Sequence, residues 1–222
     1  MDAGPDPRRH GDLPAEFPIF PLTGALLLPR GKLPLNIFEP RYLAMVEDAL
    51  AERRCIGMIQ PDETRHAGKT GPALYRVGCL GRLVAFSETE DGRYLITLAG
   101  LSRFQVAEEL SLRRGYRRVR ASFAPFAADL EAAGEPLADR ATLVAALRTY
   151  FQARGFDANW GAIEGMDDEA LVTTLAMVCP FGPAEKQALL EAPAGAERAE
   201  ALLALLRMGA HESPRASGPP PS

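Results

Sequence analysis

A chain of 222 residues, 47% hydrophobic and 24% charged, can bury a proper core without a disulfide or metal staple. No stretch approaches the ~18 apolar residues of a membrane span, and the N-terminus MDAGPDPRRHGDLPAEF lacks the apolar run of a signal peptide. A cytoplasmic protein is expected. The formal charge of −4 hides a division: residues 15–125 hold 16 Lys+Arg against 12 Asp+Glu, and residues 137–209 hold 6 against 10.

Residues 1–14 and 210–222 are mostly Pro, Gly, Ser and charge, and are predicted to be disordered tails. From Glu16 to about Pro125 the chain reads mainly as strands. PIFPL and ALLLP are short apolar runs, and Leu28-Pro29-Arg30-Gly31 fits a type I turn. KLPLNIF reads as a strand whose Pro34 confines that position to an edge or bulge. Pro40 opens a helix at its first position. Leu43, Val46 and Leu50 form one apolar stripe of that helix, and Tyr42, Met45 and Ala49 the next. CIGMIQ follows as a buried strand.

After the polar loop PDETRHAGKTGP come LYRVGCLGRLVAFSETE and RYLITLAG, joined at Asp91-Gly92 as a hairpin. Gly78, Gly81 and Gly100 suggest the bulges and bends of a small closed barrel. SRFQVAEEL and GYRRVRASF make a further strand pair. Residues 126–136 read as an alanine-rich acidic linker, and residues 137–209 as a small bundle of three or four helices. In the first of these Leu143, Leu147 and Tyr150 or Phe151 recur at helical spacing, ended by Gly155. Asp167 is the N-cap of the next, which stops at Pro180. Pro183 opens another, and the last ends at Gly209.

The inventory of reactive groups is thin. Cys55, Cys79 and Cys179 are odd in number and lack CxxC spacing, against both a disulfide framework and zinc. Gly68-Lys69-Thr70 has Glu63 where a phosphate-binding loop needs glycine, and Gly71-Pro72 follows where it needs a helix. His10, His66 and His211 fall in tails and a loop, so no triad or metal site assembles from them. Asp167-Asp168-Glu169 is explained by the preference of helix starts for carboxylates. No catalytic residue, metal ligand or cofactor is expected.

Two binding features remain. In RRGYRRVR, Arg113, Arg114, Arg117, Arg118 and Arg120 surround Tyr116, the pattern of a nucleic-acid patch or of a charged edge strand that resists aggregation. In PLNIFEPRYLAM, Phe38, Tyr42 and Met45 either line an apolar groove or fill the strand–helix joint.

The run FPIFPLTGALLLPRGKLPLNIFEPRYLAMVEDAL resembles the start of the N-terminal substrate-binding domain of Lon-type ATP-dependent proteases. The shared elements are the F-P-L opening, the L-L-P-x-G turn, P-L-x-I-F-E-P-R-Y and the amphipathic helix. The later V-G-x-L-x-R, D-G-R-Y and G-x-x-R-F motifs continue the likeness, which covers roughly residues 15–123. CPFGPAEKQALLEAP resembles stand-alone bacterial proteins carrying this domain. The resemblance implies an α+β fold: a PUA-like β-barrel with one packed helix over 15–125, then a small all-α bundle. It implies recognition of unfolded or misfolded polypeptides, as an adaptor or weak holdase, with a protease or chaperone as further partner and self-association left open. The chain has no complete P-loop, and its three lysines (Lys32, Lys69, Lys186) lack a peptidase context, so it is expected not to be an enzyme. The residues assigned to peptide binding are Phe38, Arg41, Tyr42, Phe86, Arg103 and Phe104. RNA binding through the arginine cluster is the alternative, because PUA-like barrels elsewhere bind RNA.

Overall fold

The structure is a computed structural model and describes residues 13–68, 70–131, 137–193 and 195–211. Of the expected tails and linker, residues 1–12, 132–136 and 212–222 lie outside it. The strands are β1 (Glu16–Pro21), β2 (Lys32–Ile37), β3 (Cys55–Ile59), β4 (Val77–Glu88), β5 (Tyr94–Arg113) and β6 (Tyr116–Ser122). The helices are α1 (Pro40–Ala51), α2 (Arg140–Arg154), α3 (Trp160–Glu164), α4 (Asp168–Val178), α5 (Pro183–Glu191) and α6 (Gly195–His211), with a 3-10 segment at Ala124–Leu130. The fold is α+β around one mixed sheet.

The chain divides into two compact units, residues 1–133 with 173–191, and residues 134–172 with 192–222. The change of composition near residue 125 therefore does not mark the division, which falls within α4 and again after α5. Polar contacts explain where 173–191 belongs. Gln187 donates to the carbonyl of Val77 at 3.1 Å, and Lys186 donates to Gly24 O at 2.8 Å and Met177 O at 3.2 Å.

In the first unit the strand order is β2-β5-β4-β3-β1-β6, with β1–β3 parallel and the other pairs antiparallel. The 20-residue β5 holds this together. Its first part lies between β2 and β4, and beyond Gln105 it pairs with β6, so the ladder β5-β4-β3-β1-β6 returns to β5. Phe17, Ile19, Cys55, Ile59, Leu74, Leu80, Phe104, Val119 and Phe123 fill one cluster, with Phe17 and Phe104 edge to face at 4.9 Å. Each such side chain contributes roughly 1.5–3 kcal/mol on burial. Gly100 lies opposite Gly81 at a register shift, and a methyl on it would overlap the carbonyl of Leu28. Its glycine serves close approach.

Several local expectations shift. Leu26, Leu27 and Leu28 are buried but form no strand. Arg30 has φ +64°, the signature of a type II turn rather than type I. The hairpin at Asp91-Gly92 is a five-residue connection closed by Thr89 N–H to Arg93 O. The tight two-residue turn lies instead at Arg114-Gly115, where φ values of +47° and +87° match type I′. Pro34 sits on β2 at the end of the strand order, as its missing N–H demands.

In the second unit α2 packs on α6. Leu143, Leu147 and Tyr150 are its buried stripe, Asp139 caps its start through Thr142 N–H at 2.9 Å, and Gly155 ends it. Asp167 accepts from Ala170 N–H at 2.7 Å, as expected of a cap. α6 runs past Gly209 to His211. That glycine lies within the helix because a methyl would come 2.6 Å from the Tyr150 ring.

Candidate functional site

The six residues assigned to peptide binding separate into two groups. Phe38, one residue past β2, is 63% exposed, and Phe86 on β4 is 42% exposed with its ring 5.0 Å from Tyr94. Arg41 is half exposed, pairs with Glu39 at 2.8 Å and stacks over Tyr42 at 4.5 Å. These three are available to a partner.

Tyr42, Arg103 and Phe104 are interior, and their assignment is corrected. Tyr42 packs on Phe20 with centroids 4.4 Å apart. Phe104 is 0% exposed inside the core cluster. Arg103, on the opposite face of β5, is 3% exposed, forks onto Asp129 at 2.7 and 2.9 Å, and donates to Leu190 O at 3.2 Å. Neighbours on a strand point to opposite faces, and here both faces are covered, one by the core and one by the 3-10 segment and α5.

Beyond the core, β2, the start of β5 and the end of β4 continue as a three-stranded sheet. Directly opposite residues share a face. The rows Pro34–Thr97–Ala85 and Asn36–Leu95–Ser87 lie on one face, and Leu35–Ile96–Phe86 on the other. These nine residues line an open, largely apolar groove of about 490 Å³. Leu95 is 46% exposed, and Val84, at the register shift in β4, is also exposed. Sequence reading found Phe86 but missed Leu95, Val84 and the small residues between them. In YLITLAG both alternating sets are apolar or uncharged, so no polar face marks the outside.

The arginine cluster is brought together, and so are its counter-charges. Arg113 meets Glu52 at 2.7 Å and Asp48 at 3.2 Å; Arg114 meets Glu47 at 2.7 Å and Asp48 at 2.9 Å. Arg117 pairs with Glu109 at 2.6 Å, Arg118 with Glu16 at 3.5 Å, and Arg120 with Glu16 at 2.7 Å and Glu108 at 2.6 Å. Five guanidiniums thus face six carboxylates. Tyr116 is buried and donates to Asp48 at 2.7 Å. Burial, then Asp48, push its hydroxyl pKa up. Desolvation opposes ionisation of Asp48, but bonds from Tyr116 and Arg114 and the charge of Arg113 outweigh it and hold the carboxyl below its ordinary value. The hairpin tip is bound to α1 by this network.

Cys55, Cys79 and Cys179 are all buried free thiols. Burial pushes Cys179 up to about 12, against the partly offsetting charge of Lys186. Among the described residues no three His, Cys, Asp or Glu side chains group as a metal site, and no helix is long and apolar enough to cross a membrane.

The family of the ATP-dependent protease La (LON) substrate-binding domain matches residues 16–208. The chain is 31% identical over 97 residues to a Lon protease of Anaeromyxobacter dehalogenans, covering 44% of this chain and 12% of that one. It is 25% identical over 208 residues to Lon protease 2 of Thermus thermophilus, covering 87% and 24%. The chain thus spans between 12% and 24% of the length of these relatives. Among solved structures, a Lon N-terminal domain protein from Xanthomonas campestris superposes with a TM-score of 0.60 at 23% identity, covering 85% of this chain and 97% of that one. The N-terminal domain of the Mycobacterium avium complex Lon protease gives 0.59 at 18%, covering 86% and 97%. Two structures so distant in sequence share the fold, and the family match extends over most of the chain. This chain belongs to the LON substrate-binding domain family.

Proposed function

We propose that this chain is a non-catalytic polypeptide-recognition module that holds exposed apolar segments of unfolded or misfolded proteins, as an adaptor or weak holdase. The observation that carries the reading is the groove on the outer strands, where large apolar side chains stay exposed within a family of substrate-binding domains. The returning strand ladder supports a PUA-like barrel over 15–125 as the recognition domain, with the helices of 137–209 as a small companion bundle. Three free thiols fit a reducing cytoplasm. Delivery to a protease or chaperone is part of the same reading.

Phe38, Phe86 and Leu95 are the anchors, with Leu95 on one face of the outer strands and Phe86 on the other. Three such side chains supply roughly 5–9 kcal/mol of gross burial. Association and ordering costs return most of that, so affinity for one segment is micromolar or weaker. The test is suppression of aggregation of a heat-denatured client without ATP. The wild type suppresses it, and Phe86→Ser with Leu95→Ser does not. No suppression at stoichiometric excess removes the reading. RNA binding draws less support, because each cluster arginine already faces a carboxylate of its own chain.

A further inference from the structure

We propose that the groove takes the C-terminal end of a polypeptide, with Lys32 and Arg82 holding its α-carboxylate. The inference rests on the polypeptide reading and adds to it which part of a client is recognised. One row beyond Pro34–Thr97–Ala85 on the same face of the sheet lies Lys32–Ala99–Arg82. Two long cationic side chains therefore stand on either side of a methyl, about 10 Å apart at their backbones. Neither makes an ion pair or hydrogen bond to a described residue, and Arg82 Nε is buried with no partner. The contrast with the hairpin is direct: there every guanidinium is answered by a carboxylate, and here two cations are left over at the end of an apolar groove. Arg82 has only electrostatic reach to Cys55, whose thiol is neutral because burial pushes its pKa up.

Charge complementarity sets the occupant. Apolar side chains suit Leu95, Ala85 and Thr97, and an anion suits the Lys32–Arg82 end. From the Leu95 row to the Ala99 row is about 13 Å, the length of about four extended residues. A chain that ends there needs no exit past the two cations, and its terminal carboxylate offers two oxygens to the guanidinium fork.

Fluorescence anisotropy with a labelled Ala-Leu-Phe-Leu-Leu peptide tests this in three forms: free acid, C-terminal amide, and amide with an internal Asp. The free acid is expected to bind about ten-fold or more tightly than the amide, the scale of a charge-assisted hydrogen bond. Lys32→Gln with Arg82→Gln brings the acid down to the level of the amide. Acid and amide binding equally well overturns this inference and leaves the polypeptide reading standing. An internal Asp that restores the affinity of the free acid overturns the preference for a chain end. No binding of any form removes both readings. The acid–amide comparison on the wild type decides the matter even where the double variant fails to fold.

Discussion

Strand β5 is used in two opposite ways along its length. Between Gly100 and Phe104 most positions are buried, and the strand spends both faces on the fold. Between Tyr94 and Thr97 it leaves one face of the same sheet open, with Leu95 half in solvent. Its partner β4 does the same, buried from Gly78 to Gly81 and exposed from Val84 to Glu88. Exposed surface is thus made by extending core strands past the helices and loops that cover them. The buried part holds the exposed part in shape.

Substitutions at the two ends of β5 test that contrast most sharply. Phe104→Ala removes a fully buried ring and is expected to cost about 3–5 kcal/mol. Arg103→Ala leaves Asp129 buried without its partner, at a similar cost. Urea denaturation read by circular dichroism checks both, and a loss below about 1 kcal/mol at either position sinks the division. Leu95→Ser, only four residues before Ala99, changes stability by no more than about 0.5 kcal/mol while weakening client capture. A large destabilisation there would mean that the outer face belongs to the core after all.

The pH dependence comes next in size. Asp48 is held below its unfolded value, so its contribution is fully present above the ordinary carboxylate range and is lost as pH falls through the folded value. Stability should therefore drop on acidification, and Asp48→Asn should flatten part of that drop. Asp91, Asp139 and Asp168 are lowered too and account for a share of what remains. An Asp48→Asn profile that keeps the full slope would remove the network from the account.

The smallest expected effect separates the arginine hairpin from the groove. Five arginines meeting phosphates would give a salt slope near −4.5 in RNA binding. With their carboxylates in place, the expected outcome is no measurable binding at 150 mM salt. A slope approaching that value would show that RNA displaces the intramolecular pairs.

Most of the fold was legible because local chemistry and tertiary context agree. Pro34 marked an edge, Pro40 and Pro183 marked helix starts, and Asp167 and Gly155 marked caps. Composition misled at α5, whose Gln187 and Leu190 bond to β4 and β5 rather than to the other helices. Nothing in AEKQALLEA distinguishes those two destinations. The candidate site was half legible. Phe38 and Phe86 are conspicuous as large residues beside turns, but Arg103-Phe104 is equally conspicuous and lies inside. Alternation reveals that two neighbours face opposite ways, and only packing decides that both ways are covered. Pairing of Arg113 and Arg114 with Glu47, Asp48 and Glu52 links residues some 60 to 70 positions apart, beyond the reach of any local pattern.

Pro34 has a consequence beyond its own strand. A protein that grips sticky chains concentrates material prone to fibre growth, and its own bare sheet margin is the obvious template. With one donor missing from the middle of that margin, backbone-to-backbone zippering is interrupted after a couple of bonds. If the chain holds clients as proposed, it can touch many aggregating molecules without seeding their assembly.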